Sequence, residues 1–167
     1  MKVTSWRKFS NLWKEIIILS IKAQETETDT NEILSLLAKE KDAKVVYKHL
    51  FNEDLTLNDW PDFTFFNRLI VLQKIYAANL PLEEIDPIMY FPLIKEIHLE
   101  NTPVAELDAL MLTASLEKVF LNGSEIDDLT PIFEAPLKVL NITGLSIEQN
   151  QIDTVLLRHP NCEVITG

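Results

Sequence analysis

The stretch at residues 119–132, VFLNGSEIDDLTPI, changes its hydrophobic rhythm halfway, and the same change recurs along the chain. Its apolar positions are Val119, Leu121, Ile126, Leu129 and Ile132. Ile75, Ala77, Leu82, Ile85 and Ile88 repeat them, as do Ile97, Leu99, Val104, Leu107 and Leu110. Leu140, Ile142 and Ile147 begin a further copy before the pattern slips. An apolar residue three places earlier leads each unit: Leu72, Ile94, Leu116 and Leu137, with Cys162 leading a last half unit, CEVITG. The leads lie 22, 22, 21 and 25 residues apart. A weaker first unit is LTLNDWPDFTFF, with Leu55 and Leu57 as its strand and Phe63 and Phe65 inside.

Self-similarity at this period predicts a solenoid, because one such unit cannot bury its apolar side and must stack on its neighbours. Alternation at Val119 and Leu121 predicts a short strand with every second side chain inward. Ile126, Leu129 and Ile132 then point back at the same core from a loop or short helical return. Pro87 and Pro131 suit that return, since proline is excluded from central strands.

These units resemble the leucine-rich repeat family, over residues 70–167 and in the weaker reading from 52. The endings LEEIDPI and IDDLTPI resemble the roughly 22-residue bacterial repeats of the internalins. The resemblance implies an α/β solenoid: a short right-handed coil with a parallel concave sheet, an N-terminal helical cap and a C-terminal helix–strand cap. It also implies protein recognition through the concave face, without naming the ligand. The family places Asn at the ninth position of the unit, where its side chain satisfies turn backbone. Here that position holds Leu80, Thr102, Ser124 and Leu145; Thr and Ser can bond the turn, and Leu cannot.

A solenoid exposes apolar ends. In residues 1–51, read as the N-terminal cap, Trp6, Phe9, Trp13, Ile16 and Ile17 share one helical face. Ile33, Leu34, Leu37, Val45 and Leu50 share another, in a second helix. Between them ETETDTN is a polar break, with Asp29, Thr30 or Asn31 available as an N-cap. Residues 52–167 are read as the repeats and their C-terminal cap, in one continuous domain. Near the end Ile152, Val155 and Leu156 have helical spacing, which His159-Pro160-Asn161 stops.

Charge is unevenly placed. Residues 1–50 hold nine Lys/Arg against seven Asp/Glu, and residues 51–167 hold six against nineteen. The acidic part repels nucleic-acid backbones and is complementary to a basic protein partner. Residues 1–22 carry five cations, one acid and two tryptophans. They can cap the first repeat, bind a partner or lie on an anionic membrane. The run at residues 16–21 is too short to span a bilayer. One cysteine excludes an internal disulfide framework and fits a reducing, cytoplasmic location. Secretion after cleavage of an N-terminal signal is the alternative.

No catalytic constellation is present. His49, His98 and His159 have no Cys or carboxylate at metal-ligand spacing, and there is no phosphate-cradling glycine loop. Cys162 reads as a buried small hydrophobe. The expectation is a non-catalytic binding protein without cofactor or metal.

The strands' outward positions form three columns. The first is Asp54, Lys74, Glu96, Lys118, Val139 and Val164. The central one is Thr56, Tyr76, His98, Phe120, Asn141 and Thr166, and the third is Asn58, Ala78, Glu100, Asn122 and Thr143. Strands ~4.8 Å apart make each column a row. Tyr76, His98 and Phe120 are therefore expected side by side, facing solvent as interface anchors. Lys74, Lys118, Glu96 and Glu100 are expected as their charged rim, with Asn122 and Asn141 in the same partner-binding surface. The competing expectation is that the N-terminal helices or a loop fold over the patch, or that the rings stack only on one another. The partner-binding reading has as its own rival an acidic inhibitor or immunity-type protein that neutralises a basic toxin or enzyme.

Overall fold

The computed structural model describes residues 6–57 and 63–167. The first helix, α1, is Asn11–Glu25. Ser10 starts it: its Oγ accepts from the Trp13 backbone N–H at 3.2 Å, satisfying one of the donors a helix start leaves open. Trp6, Phe9, Trp13, Ile16 and Ile17 are all buried as expected, but Trp6 and Phe9 precede the Ser10 cap, so only Trp13, Ile16 and Ile17 lie on the face of α1. Helix α2, Thr30–Glu40, takes Asp29 as its N-cap, and that carboxylate accepts from the N–H groups of Asn31 and Glu32.

The second N-terminal segment is two helices, where one was expected. Lys41 has φ +52 and ends α2, and Asp42 caps α3, Ala43–Phe51. The break resets the helical phase, so Val46 is buried and Val45, expected inside, is 44% exposed. The weak first repeat is also corrected. Leu55 and Leu57 form no strand, and Phe63 opens a helix, α4, at Phe63–Ile70. Phe65, Phe66 and Leu69 bring apolar groups to the core at helical spacing, which outweighs the alternation read around them. Asn58 and the rest of residues 58–62 lie outside the described residues.

From Lys74 the repeats take over. Strands β1 (Lys74–Tyr76), β2 (Glu96–His98), β3 (Lys118–Phe120), β4 (Val139–Asn141) and β5 (Glu163–Ile165) form one five-stranded parallel sheet in chain order. The register pairs Ile75, Ile97, Val119 and Leu140. Ladder bonds continue past the strands, from Ala77 N to His98 O, Leu99 N to Phe120 O and Leu121 N to Asn141 O. Leu99, Leu121 and Ile142 thus line up in successive coils, all buried in one core that runs from Trp6 to Cys162. Short 3₁₀ segments, Asp86–Tyr90, Asp108–Leu112 and Thr130–Ile132, make the returns, with Pro87 and Pro131 in their first turns. In the last unit a helix, α5 (Gln149–Arg158), replaces the 3₁₀ segment.

The longer α5 shifts the final register by one. Leu140 pairs with Val164, so Glu163 and Ile165, not Val164 and Thr166, continue the outward columns. The lead-to-strand distance that is three residues elsewhere is two after Cys162.

The turn after each strand needs one left-handed residue, and these are Asn79 (φ +61), Asn101 (φ +54), Gly123 (φ +74) and Gly144 (φ +77). Asn and Gly tolerate that region best. The Asn101 amide donates to Asn79 Oδ1 at 3.1 Å, and a Cβ on Gly123 would stand 2.3 Å from Asn101 Oδ1. At the ninth position Thr102 Oγ1 donates to Leu99 O at 2.8 Å, in the manner anticipated for a hydroxyl, but Ser124 Oγ is buried without a partner and that turn is closed by Ser124 N donating to Leu121 O. Leu80 and Leu145 close the turn with backbone alone, their N–H groups donating to Ala77 O and Ile142 O.

Candidate functional site

The sheet face turned away from the core collects the outward side chains of β1–β3. Parallel pairing in register places Lys74, Glu96 and Lys118 in one row and Tyr76, His98 and Phe120 in the next. The three rings stack: Tyr76 to His98 at 5.5 Å and 12°, and His98 to Phe120 at 4.6 Å and 4° between planes.

His98 is clamped in the plane of its ring. Nε2 lies 2.9 Å from Glu96 Oε1, and Nδ1 lies 2.9 Å from Glu100 Oε1. Two carboxylates on two ring nitrogens favour the imidazolium, which donates from both. Burial alone would lower the His98 pKa, but the hydrogen bonds to Glu100 and Glu96 outweigh it and raise the pKa above its ordinary value. The His98 hydrogen bond, aided by the charges of His98, Lys74 and Lys118, holds the Glu96 carboxyl at about 2 against the cost of burial. Lys74 Nζ reaches Glu96 Oε1 at 3.6 Å, and Lys118 Nζ reaches Glu96 Oε2 at 3.5 Å. Glu96 is thus the hub of three cations.

The expectation of solvent-facing aromatics holds for one ring of three. Tyr76 is 3% exposed and His98 2%, while Phe120 is partly exposed. The cause is local. Thr30, at the start of α2, places its Oγ1 3.0 Å from the Tyr76 hydroxyl and accepts from Lys74 Nζ at 3.2 Å. Burial raises the Tyr76 pKa against the Thr30 bond. Behind it, Ser20 Oγ on α1 accepts from Tyr76 N at 3.1 Å, occupying the edge of β1. His98 is covered by its two stacked neighbours.

The charged rim divides. Lys74 and Lys118 keep half-exposed side chains, whereas Glu96 is buried against His98 instead of standing at the edge. Glu100 is nearly as deep: its Oε1 binds His98, and its Oε2 is buried without a protein donor. On the next strand Asn122 Oδ1 is also buried without one. Asn141 Oδ1 accepts from Thr143 N at 3.1 Å, fixing the turn after β4. Thr30 is named in the sequence only as a possible N-cap, a role that Asp29 takes, and Ser20 is not singled out. The available signal was a lone serine inside the apolar run IIILSI.

Other sequence features resolve structurally. Trp6 and Trp13 are in the core, and Trp13 Nε1 donates to Glu84 O at 2.9 Å, so neither is presented to a membrane. No helix among the described residues is long and apolar enough to cross a bilayer. Cys162 is buried, and burial, with Glu163 nearby, raises its thiol pKa. Among the described residues no group of three His, Cys, Asp or Glu side chains is placed to hold a metal ion.

No protein-family model matches the chain, and no curated protein matches its sequence. Solved structures do match. An internalin (inlF) from Listeria monocytogenes superposes with a TM-score of 0.54 at 11% identity, over 64% of this chain and 31% of that one. An internalin C2 (inlC2) from the same organism matches with a TM-score of 0.49 at 21% identity, over 62% and 46%. The chain therefore spans less than half the length of either. With a parallel strand in every coil and a return of matching period, the chain has the leucine-rich repeat fold of the internalins.

Proposed function

We propose that the chain is a non-catalytic protein-binding module that holds a protein partner on the concave face of its sheet, centred on Phe120. In this reading α1–α4 cap the first coil, α5 and β5 close the last, and the coil is right-handed. The division expected from the sequence, 1–51 and 52–167, moves in this reading to the end of α4, within one continuous domain. The observation that carries the reading is the stack: Phe120 is the one partly exposed ring on a rigid platform of Tyr76 and His98. A pre-oriented aromatic loses little entropy on binding and is a typical anchor. Lys118, Asn122 and Asn141 lie on its own and the next strand, Lys74 stands two strands away at the edge of the face, and Glu96 and Glu100 hold His98 in place.

The test is a cross-linkable residue at position 118 to capture the partner, followed by affinity measurement with Phe120→Ala. A loss of tenfold or more is expected. Unchanged affinity removes this face from the site. A second reading, an acidic inhibitor of a basic toxin or enzyme, rests on the six cations against nineteen acids in residues 51–167. It requires affinity to fall steeply between 50 mM and 500 mM salt, where an aromatic-centred interface changes little.

A further inference from the structure

The return side of the coils carries a second surface, unlike the sheet face in every respect. Its three segments, residues 81–94, 103–116 and 125–137, contain nine Asp or Glu residues and no Lys, Arg or His. The repeat stacks these acids. Glu83, Glu84 and Asp86 face Glu106 and Asp108 across a cleft of about 210 Å³ floored by Ala105 and Ala109. Glu106 and Asp108 face Asp127 and Asp128 across a second cleft of about 220 Å³. Successive coil junctions thus each open into a carboxylate-lined notch.

Beside the notches lies an apolar strip. The first two 3₁₀ segments, Asp86–Tyr90 and Asp108–Leu112, both begin on Asp and have the same length. Their 22-residue offset sets Met89 beside Met111; Phe133 follows at the same offset but is partly buried beneath the Arg158 guanidinium, which ends the strip. Met89 is 43% exposed, Met111 65% and Leu112 73%. Asp86, Glu84 and Met89 line one further hollow together, with Lys8 at its N-terminal side, so strip and acids are contiguous and the only cation lining any of the three is at that end. Packing of the coils does not require these side chains outside. Scattered single apolar residues on a surface are ordinary, but a strip repeated in successive coils beside acids of which, among the described residues, only Glu134 has an ion-pair partner, Arg158, is an interface pattern.

We propose that this return face docks a basic amphipathic helix of a partner protein, with its apolar side on Met89, Met111 and Leu112 and its cations over the two notches. The spacing favours a helix. Coils stack at ~4.8 Å, and residues three or four apart on a helix lie ~5–6 Å apart on one side, so lysines at that interval meet successive notches. Methionine supplies a surface that adapts to the apolar residues it meets. Charge complementarity selects the sign: an acidic or anionic surface, including an anionic membrane, is repelled. The proposal is independent of the concave-face reading.

The probe is an 18-residue peptide of Lys and Leu patterned as an amphipathic helix, titrated into the ¹⁵N-labelled full chain. The comparison peptides are a Glu/Leu peptide of the same pattern and a strictly alternating Lys/Leu peptide. Shift changes are expected around Met89, Met111 and Leu112. Affinity is expected to fall about tenfold in Met111→Ser/Leu112→Ser, about fivefold in Glu106→Gln/Asp128→Asn, and to be unchanged in Phe120→Ala. Circular dichroism of each variant establishes that it is folded. Shifts on the sheet face or spread over all acidic surfaces overturn the proposal. So does an equal loss in the off-face control Glu163→Gln, or equal binding of the Glu/Leu or the alternating peptide. Sedimentation showing a dimer that Met111→Ser/Leu112→Ser abolishes overturns it too, because the occupant is then a second copy.

Discussion

The two faces of the same coils are built from the same period and end in opposite chemistry. On the sheet face, strands bring Lys, Glu and His into neighbouring rows, and the side chains satisfy one another: Glu96 alone engages His98, Lys74 and Lys118. On the return face the period stacks like with like, acid on acid and methionine on methionine. A repeat cannot choose the partner of a side chain, since register makes each residue's neighbour the residue one period away. Where the sequence alternates charge between units, as at Lys74, Glu96 and Lys118, a network closes. Where it repeats the charge, as at Asp86 and Asp108, the surface is left for something else to complete.

This contrast can be broken experimentally. The largest effect belongs to neither face but to the core they share. Leu121→Ala removes a fully buried side chain between two coils and is expected to cost about 2–5 kcal/mol in chemical denaturation. A smaller loss means that the coils do not share one packed interior. Next comes Glu96→Gln, expected to cost on the order of 2–3 kcal/mol, because it strips the anion from three cations beside a buried ring. Glu106→Gln on the return face should stay within about 0.5 kcal/mol of the parent. Equal costs would erase the difference between the faces.

The same network has a pH signature. Glu96 is lowered from 4.5 to about 2, so its contribution is present above pH 4.5 and is lost as the pH falls toward about 2. His98 is raised above 6.5, so its contribution is full below pH 6.5 and is lost as the pH rises through the raised value. The stability difference between parent and His98→Gln should therefore be greatest between about pH 4.5 and 6.5 and shrink on both sides. A flat difference from pH 3 to 9 would mean that His98 is not the ionised centre. The smallest contrast lies in the turns. Gly123→Ala is strained by φ and by contact with Asn101, whereas Gly144→Ala meets open space and bears only the φ penalty. Gly123→Ala should cost about 1–2 kcal/mol more than Gly144→Ala, measured as a shift in denaturation midpoint.

The internal period was enough to place the strands of four coils and the inward rows, since Ile97, Val119 and Leu140 differ from their surroundings only by recurring at one spacing. It also placed Tyr76, His98 and Phe120 in one row, because parallel strands leave no freedom in register once the inward residues are fixed. Cover by the N-terminal helices was legible only as the competing expectation, and the period could not say that Tyr76 is the ring they cover. That depends on Thr30, 46 residues away and outside the repeats, where no period applies. Nor did it find the break at Lys41, since a left-handed residue and an Asp cap interrupt a pattern that reads continuously at helical spacing. The one-residue slip at β5 arose from α5, whose length only packing against the previous coil could set. Burial periodicity is local and repeats, so the sequence by itself determined the coils. Which outward side chains stay exposed depends on long-range contacts between non-repeating parts, and only the tertiary structure decided that.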